Sequence, residues 1–194
     1  MDKRNVRQRI INLAIKQIRT AGYQSISLRK LMSKLHLTTG AFYKHFRNKS
    51  ELFYAVFDQI STQIYINIYD QVGGLVDSNP KKALYGVAKI LLDYFVNEPY
   101  LVDFFLYNSQ IKNGHDFLKR GQAVVNIFDL IRLILKNLIE QYQLAVTIEE
   151  LYVQAWAFLN GYGMLLRNGI ITVEDQLIKK TITMLIKGQK SHPE

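Results

Sequence analysis

Apolar residues recur along this chain in steps of three and four, and the breaks between the runs predict nine helices and no strand. Residues 3 to 21 place Val6, Ile10, Leu13, Ala14 and Ile18 on one side, with Ile11 and Ile15 beside them. Lys3, Arg4, Arg7, Lys16 and Arg19 lie on the other, and Gly22 stops the run. In the second helix Leu28, Leu31, Met32 and Leu35 repeat at helical steps, with Ser27 placed to cap the free N–H groups. Four residues, His36 to Thr39, lead to a third. There Thr38 or Thr39 is the cap, Ala41, Phe42 and Phe46 face inward, and Thr39, Gly40, Tyr43, Lys44 and His45 face outward.

Residues 50 to 72 form the fourth run, through Leu52, Phe53, Val56, Phe57, Ile60, Ile64 and Ile68, with Tyr65 and Tyr69 beside them. At 1.5 Å per residue it spans roughly 35 Å, enough for a lever between two parts. Gly73, Gly74, Asp77, Ser78 and Asn79 break the pattern, and Pro80 suits the first position of a fifth helix through Leu84, Val87, Ala88, Leu91, Leu92 and Phe95. After Pro99, residues 100 to 109 predict a short aromatic sixth helix that ends by Asn113 and Gly114. Residues 116 to 143 predict a central seventh: Val124, Phe128, Ile131, Leu135, Leu138 and Tyr142 line one face and Ile127, Leu130 and Ile134 another. Only Gln122, Asn126, Asp129, Lys136 and Glu140 leave a polar stripe. Thr147 caps an eighth running to residue 167, with Gly161 and Gly163 inside it. Each would weaken an isolated helix by about 1 kcal/mol, so a neighbour must approach closely there. The ninth, residues 174 to 187, repeats Leu177, Ile178, Thr181, Ile182, Leu185 and Ile186 along one side.

Charge divides the chain. The net charge is +9, yet residues 1 to 50 hold twelve Lys and Arg against one acid, Asp2, and the remaining residues are slightly acidic. A polyanion partner is expected for the N-terminal part and a different task for the rest. The absence of cysteine excludes disulfides and thiolate chemistry. With no apolar leader and no run of spanning length, the expectation is a soluble cytoplasmic protein without membrane contact.

Within the basic part, the outer side of the third helix is small, polar, aromatic and basic. A helix entering a DNA major groove about 12 Å wide needs small residues near the base edges and hydrogen-bonding or cationic groups for phosphates. Two helices and a tight turn in this order are the helix-turn-helix arrangement. Arg29 and Lys30 stand in the first turn of the second helix, where the dipole disfavours cations unless an anion such as a phosphate lies close. Lys49 and Ser50 open the fourth, where free N–H groups suit a phosphate.

At Ile11, Ala14, Ile18, Gly22, Tyr23, Leu28, Leu31, Leu35, Gly40, Phe42, Tyr43, His45, Phe46, Lys49, Glu51 and Leu52 the chain resembles the DNA-binding domain of the TetR family of transcriptional regulators. His36 stands where the family usually has Gly, and Met32 where it has a small residue. His tolerates a left-handed backbone better than most residues. The resemblance implies an all-α, nine-helix, two-domain fold, with a helix-turn-helix domain over residues 1–49 and a helical ligand-binding and dimerisation domain over 50–194. It implies DNA contacts from Arg29, Lys30, Thr38, Thr39, Gly40, Ala41, Tyr43, Lys44, His45 and Lys49.

It also implies a homodimer on a palindromic double-stranded operator whose half-sites lie about 34 to 36 Å apart. Leu151, Ala155, Phe158, Leu159, Tyr162, Leu166, Ile178, Ile182 and Leu185 are the expected dimer contacts. A repressor released by a small apolar or aromatic ligand is the leading function, with Tyr65, Tyr69, Phe95, Phe104, Phe105, Tyr107, Phe128, Trp156 and Asn160 as candidate pocket lining. A constitutive DNA-binding regulator without an inducer is the alternative. A small helical enzyme has little support: His36, His45, His115 and His192 are scattered, and no metal-ligand spacing, Ser/His/Asp set or phosphate loop occurs. His115 reads as a loop or capping residue, and no catalytic residue, cofactor or metal is expected.

Overall fold

The computed structural model describes residues 3–111 and 127–189. Among them are nine α-helices and no β-strand: α1 (Lys3–Ala21), α2 (Leu28–Lys34), α3 (Thr39–Tyr43), α4 (Lys49–Val72), α5 (Pro80–Asn97), α6 (Pro99–Tyr107), α7 (Ile127–Tyr142), α8 (Ile148–Arg167) and α9 (Asp175–Gly188). Caps set several starts, as the side chains suggest. The Ser27 hydroxyl accepts from the Lys30 N–H at 3.5 Å, and Thr38, rather than Thr39, accepts from the Ala41 N–H at 3.3 Å. At α8 the Thr147 hydroxyl accepts from the Glu150 N–H at 3.2 Å, while the Glu150 carboxylate accepts from the Thr147 N–H at 2.9 Å. That reciprocal pair satisfies two end groups at once and holds the Glu150 carboxyl below its ordinary range. His36, at φ 57, takes the left-handed turn between α2 and α3. The expected first part of the seventh helix, with Gln122, Val124 and Asn126, lies outside the described residues, as do Asn113, Gly114, His115 and His192.

The helices sort into two compact units: one takes the chain up to Ser61 and the segment from Glu98 onward that includes α6, and the other takes Thr62–Asn97 with α7, α8 and α9. In the first, Ile10, Ile18, Leu31, Met32, Phe42, Phe46, Leu52, Phe53 and Phe104 are all fully enclosed. Met32, larger than a turn of this kind usually holds, is therefore absorbed as core. α6 packs along α1, and Tyr23 joins them: its ring meets Phe53 and Phe104 edge-on, and its hydroxyl donates to the Tyr107 carbonyl at 3.1 Å.

In the second unit α5 is central, packing against α7, α8 and α9. α7 buries Ile127, Leu130, Ile131, Ile134, Leu135 and Leu138, both of its apolar sides, and so is enclosed as its sequence requires. The two glycines of α8 do different things. A Cβ on Gly163 would stand 2.6 Å from the Phe95 ring, so only glycine admits that ring, whereas Gly161 faces open space. No helix among the described residues is long and apolar enough to cross a membrane.

Candidate nucleic-acid interface

α3 has five residues, fewer than an isolated helix needs to persist in water, so packing must hold it. Phe42 and Phe46 supply that packing, stacked with ring centroids 5.3 Å apart, and the Arg7 guanidinium lies 5.0 Å over the Phe46 ring. With these two rings inward, Thr38, Thr39, Gly40, Tyr43 and Lys44 are exposed, while Ala41 and His45 are half-buried. Tyr43 is 59% exposed although its ring touches Phe42 edge-on, an arrangement that presents its hydroxyl outward from a fixed base. Arg29 and Lys30 are exposed in the first turn of α2, which has no acid to offset them. Arg47, outside the helical pattern and therefore not singled out by it, is also exposed. The outer side of α3 and the start of α2 are thus a rigid, uncovered set of small, hydroxyl and cationic groups.

Lys49 is placed differently. Its ammonium donates to the Ile26 carbonyl at 2.7 Å and lies 5.2 Å over the Phe53 ring, and partial burial holds its pKa below the ordinary value. The N-terminus of α4 is likewise occupied from within: Asn48 accepts from the Glu51 N–H at 2.8 Å, and the Glu51 carboxylate accepts from the Arg47 N–H at 2.6 Å. These two internal acceptors take the N–H groups of Arg47 and Glu51. Lys49→Met should therefore cost about 1 to 2 kcal/mol of stability, the worth of a half-exposed charged hydrogen bond. The salt dependence of DNA binding should be left alone. A slope reduced by about 0.9 with unchanged stability would return Lys49 to phosphate contact.

The residues considered for a ligand pocket fall in both units. Phe104 and Phe105 belong to the aromatic cluster of the first unit, where Phe105 packs on Phe57 at 4.4 Å, and Tyr107 is exposed there. In the second unit Tyr65 is half-buried and stacks on the exposed Tyr69 at 5.6 Å. Phe95 is buried against Gly163, Phe128 is half-buried, and the Asn160 amide donates to the Trp156 carbonyl at 2.9 Å. An apolar cavity of ≈ 50 Å³ does lie among α5, α7, α8 and α9, and of the nine candidates only Trp156 reaches it.

Six of the residues expected at a dimer contact, Ala155, Phe158, Leu159, Ile178, Ile182 and Leu185, line that cavity, and Leu151, Tyr162 and Leu166 are buried in the same unit. Tyr162 also closes the loop before α9: its hydroxyl donates to the Thr172 carbonyl at 3.3 Å and accepts from the Glu174 N–H at 2.8 Å. Of the expected dimer contacts, Ala155, Phe158 and Leu185 are only half-buried, and further apolar residues of α8 are exposed. Val153, Ala157, Gly161 and Leu165 stand at four-residue steps and are all exposed, and α9 exposes Leu177 and Met184.

Residues 10–56 match the sequence profile of bacterial regulatory proteins of the tetR family. An HTH-type transcriptional regulator of Staphylococcus aureus is 33% identical over 95 residues, covering 49% of this chain and 48% of its own length. The chain thus spans about half the length of the curated relatives it matches. Among solved structures, RolR in complex with resorcinol superposes with a TM-score of 0.67 at 15% identity, over 96% of this chain and 88% of its own. Thermus thermophilus FadR, a transcriptional repressor in complex with lauroyl-CoA, gives 0.64 at 20% identity over 97% of both chains. NalD, the secondary repressor of the MexAB-OprM multidrug efflux pump in Pseudomonas aeruginosa, gives 0.59 at 15% identity, again over 97% of both. At these identities the likeness to the solved structures is one of fold.

Proposed function

We propose that this chain, whose residues 10–56 match the tetR-family profile and which shares the all-helical fold of such regulators, is a homodimeric, sequence-specific transcriptional repressor of the TetR family acting in the cytoplasm. The outer side of α3 carries the proposal: Thr39, Gly40, Tyr43 and Lys44 are exposed on a helix locked from behind by Phe42 and Phe46. Small residues allow close approach to base edges, and Tyr43, Lys44, Arg29 and Lys30 supply phosphate contacts that fix register. In this division of labour residues 1–49 read DNA and 50–194 dimerise and respond to a ligand.

Tyr43→Ala and Lys44→Ala test the assigned face, since both side chains are exposed and removing them leaves the core intact. Each should weaken operator binding at moderate salt with the melting temperature unchanged, and a lost phosphate contact should flatten the salt dependence by about 0.9 in slope. Operator binding equal to wild type in both variants, measured by fluorescence anisotropy, would mean that another face of the domain meets the DNA.

Release by a small molecule completes the reading. The ligand must bind the DNA-free arrangement more tightly than the DNA-bound one, because only differential affinity shifts a two-state equilibrium. α4 is one covalent route for such a signal, since its residues up to Ser61 belong to the first unit and those from Thr62 to the second. The apolar lining of the cavity among α5, α7, α8 and α9 supports an apolar or aromatic ligand. The two ligands named for similar structures, resorcinol and lauroyl-CoA, are chemically unlike each other, so neither is transferred to this chain. A constitutive DNA-binding regulator without an inducer is the alternative reading.

A further inference from the structure

We propose that a lysine-lined pocket between α5 and α9 binds a small phosphate-bearing molecule whose apolar substituent lies against Ile182. The pocket has a volume of ≈ 250 Å³ and is lined by Asn79, Lys81, Lys82, Tyr85, Lys179 and Ile182. Three lysines therefore line one space. Lys81 and Lys82 stand in the first turn of α5, where the helix dipole disfavours cations, and that turn contains no acid. Among the described residues neither Lys81 nor Lys82 forms an ion pair with a carboxylate, while Lys179 is attracted by Asp175 one turn earlier on α9. That one carboxylate is shared: it pairs with Lys89 at 3.1 Å, accepts a hydrogen bond from Tyr85 and attracts Lys179. The lysines around this space outnumber that single acid, and an anion would balance the excess.

Phosphate suits it better than a single carboxylate. A phosphate ester carries close to two negative charges at neutral pH and three acceptor oxygens, and lysine ammonium groups meet such oxygens as point charges without a fixed fork. Lys179 also lies 5.1 Å over the Tyr85 ring, which restrains its flexible stem beside the pocket. Ile182 supplies the apolar part: it is a wall both of this pocket and of the ≈ 50 Å³ cavity behind it, which Leu84, Ile178 and Leu185 also line.

The proposal deepens the ligand arm of the function above and does not depend on its DNA arm. Calorimetric titration of the whole chain with n-butyl phosphate, inorganic phosphate and 1-butanol tests it. Butyl phosphate should bind once per chain and more tightly than either fragment. Lys82→Gln and Lys179→Gln, both surface changes, should each weaken it about tenfold, the size expected for one charge-assisted contact. Binding of short duplex DNA without ligand should stay as in wild type. The proposal is overturned by inorganic phosphate binding as tightly as the ester or by variants that bind it unchanged. It is equally overturned if the variants lose duplex affinity while no phosphate compound binds, which would assign the lysines to DNA. Butyl phosphate binding intact in a chain that ignores DNA would sink the repressor reading alone.

Discussion

Phe46→Ala should destabilise the first unit by about 3 to 5 kcal/mol and abolish operator binding with it. The ring is 1% exposed, stacks on Phe42 and lies beneath the Arg7 guanidinium, so truncation removes its transfer energy, opens a cavity and leaves that cation without its aromatic face. A domain of this size has only about 5 to 15 kcal/mol in total, so the loss is a large share. The effect on DNA binding follows from the length of α3. A five-residue helix has too few internal hydrogen bonds to survive without tertiary packing, and Phe42 alone would have to hold it. Phe46→Leu, which keeps part of the volume, should fall between wild type and alanine in urea denaturation. An alanine variant that melts with wild type, or that loses stability yet binds operator normally, would show that Phe46 does not position the third helix.

The same pair of rings shows where the sequence alone is legible. The spacing of Phe42 and Phe46 separates the inner positions from Thr39, Gly40, Tyr43 and Lys44, which are exposed, while Ala41 and His45 end up alike, both half-buried. α8 offers no such contrast. Apolar residues occupy most of its circumference, so periodicity predicts the helix while leaving its rotation open, and Leu151, Leu159, Tyr162 and Leu166 prove to face α5, α7 and α9 rather than outward. The two glycines divide for the same reason: Gly163 is required by Phe95, more than sixty positions away, and nothing local distinguishes it from Gly161. Lys49 is illegible in the same sense, since its place at the head of a helix suggests an anion while its actual partner is the carbonyl of Ile26. The pocket lysines follow the rule as well. Lys82 and Lys179 look like ordinary solvated positions on two separate helices until the fold brings them to one space.

Leu165→Glu together with Met184→Glu should convert a dimer into monomers. In one chain these side chains are 40% and 70% exposed, so the changes should alter its own stability by no more than about 0.5 kcal/mol. An interface changes the cost. A two-fold axis places each substitution twice in the contact, so four carboxylates would lose water on association. Even about 2 kcal/mol per protomer weakens the dimer roughly a thousandfold. The face has the form such a contact needs. Val153, Ala157, Gly161 and Leu165 make one four-residue ridge of α8 with its lowest point at Gly161, where nothing lies within 4 Å, so a second helix could approach closely there. Leu159→Glu supplies the contrast, because Leu159 is buried within its own unit and a carboxylate there should unfold the chain rather than divide it cleanly. Sedimentation at micromolar concentration, read beside circular dichroism, separates the cases. The double variant should sediment as a folded monomer that binds a palindromic operator only as weakly as a single half-site, whereas a folded double variant still sedimenting as a dimer would move the contact to another face of the chain.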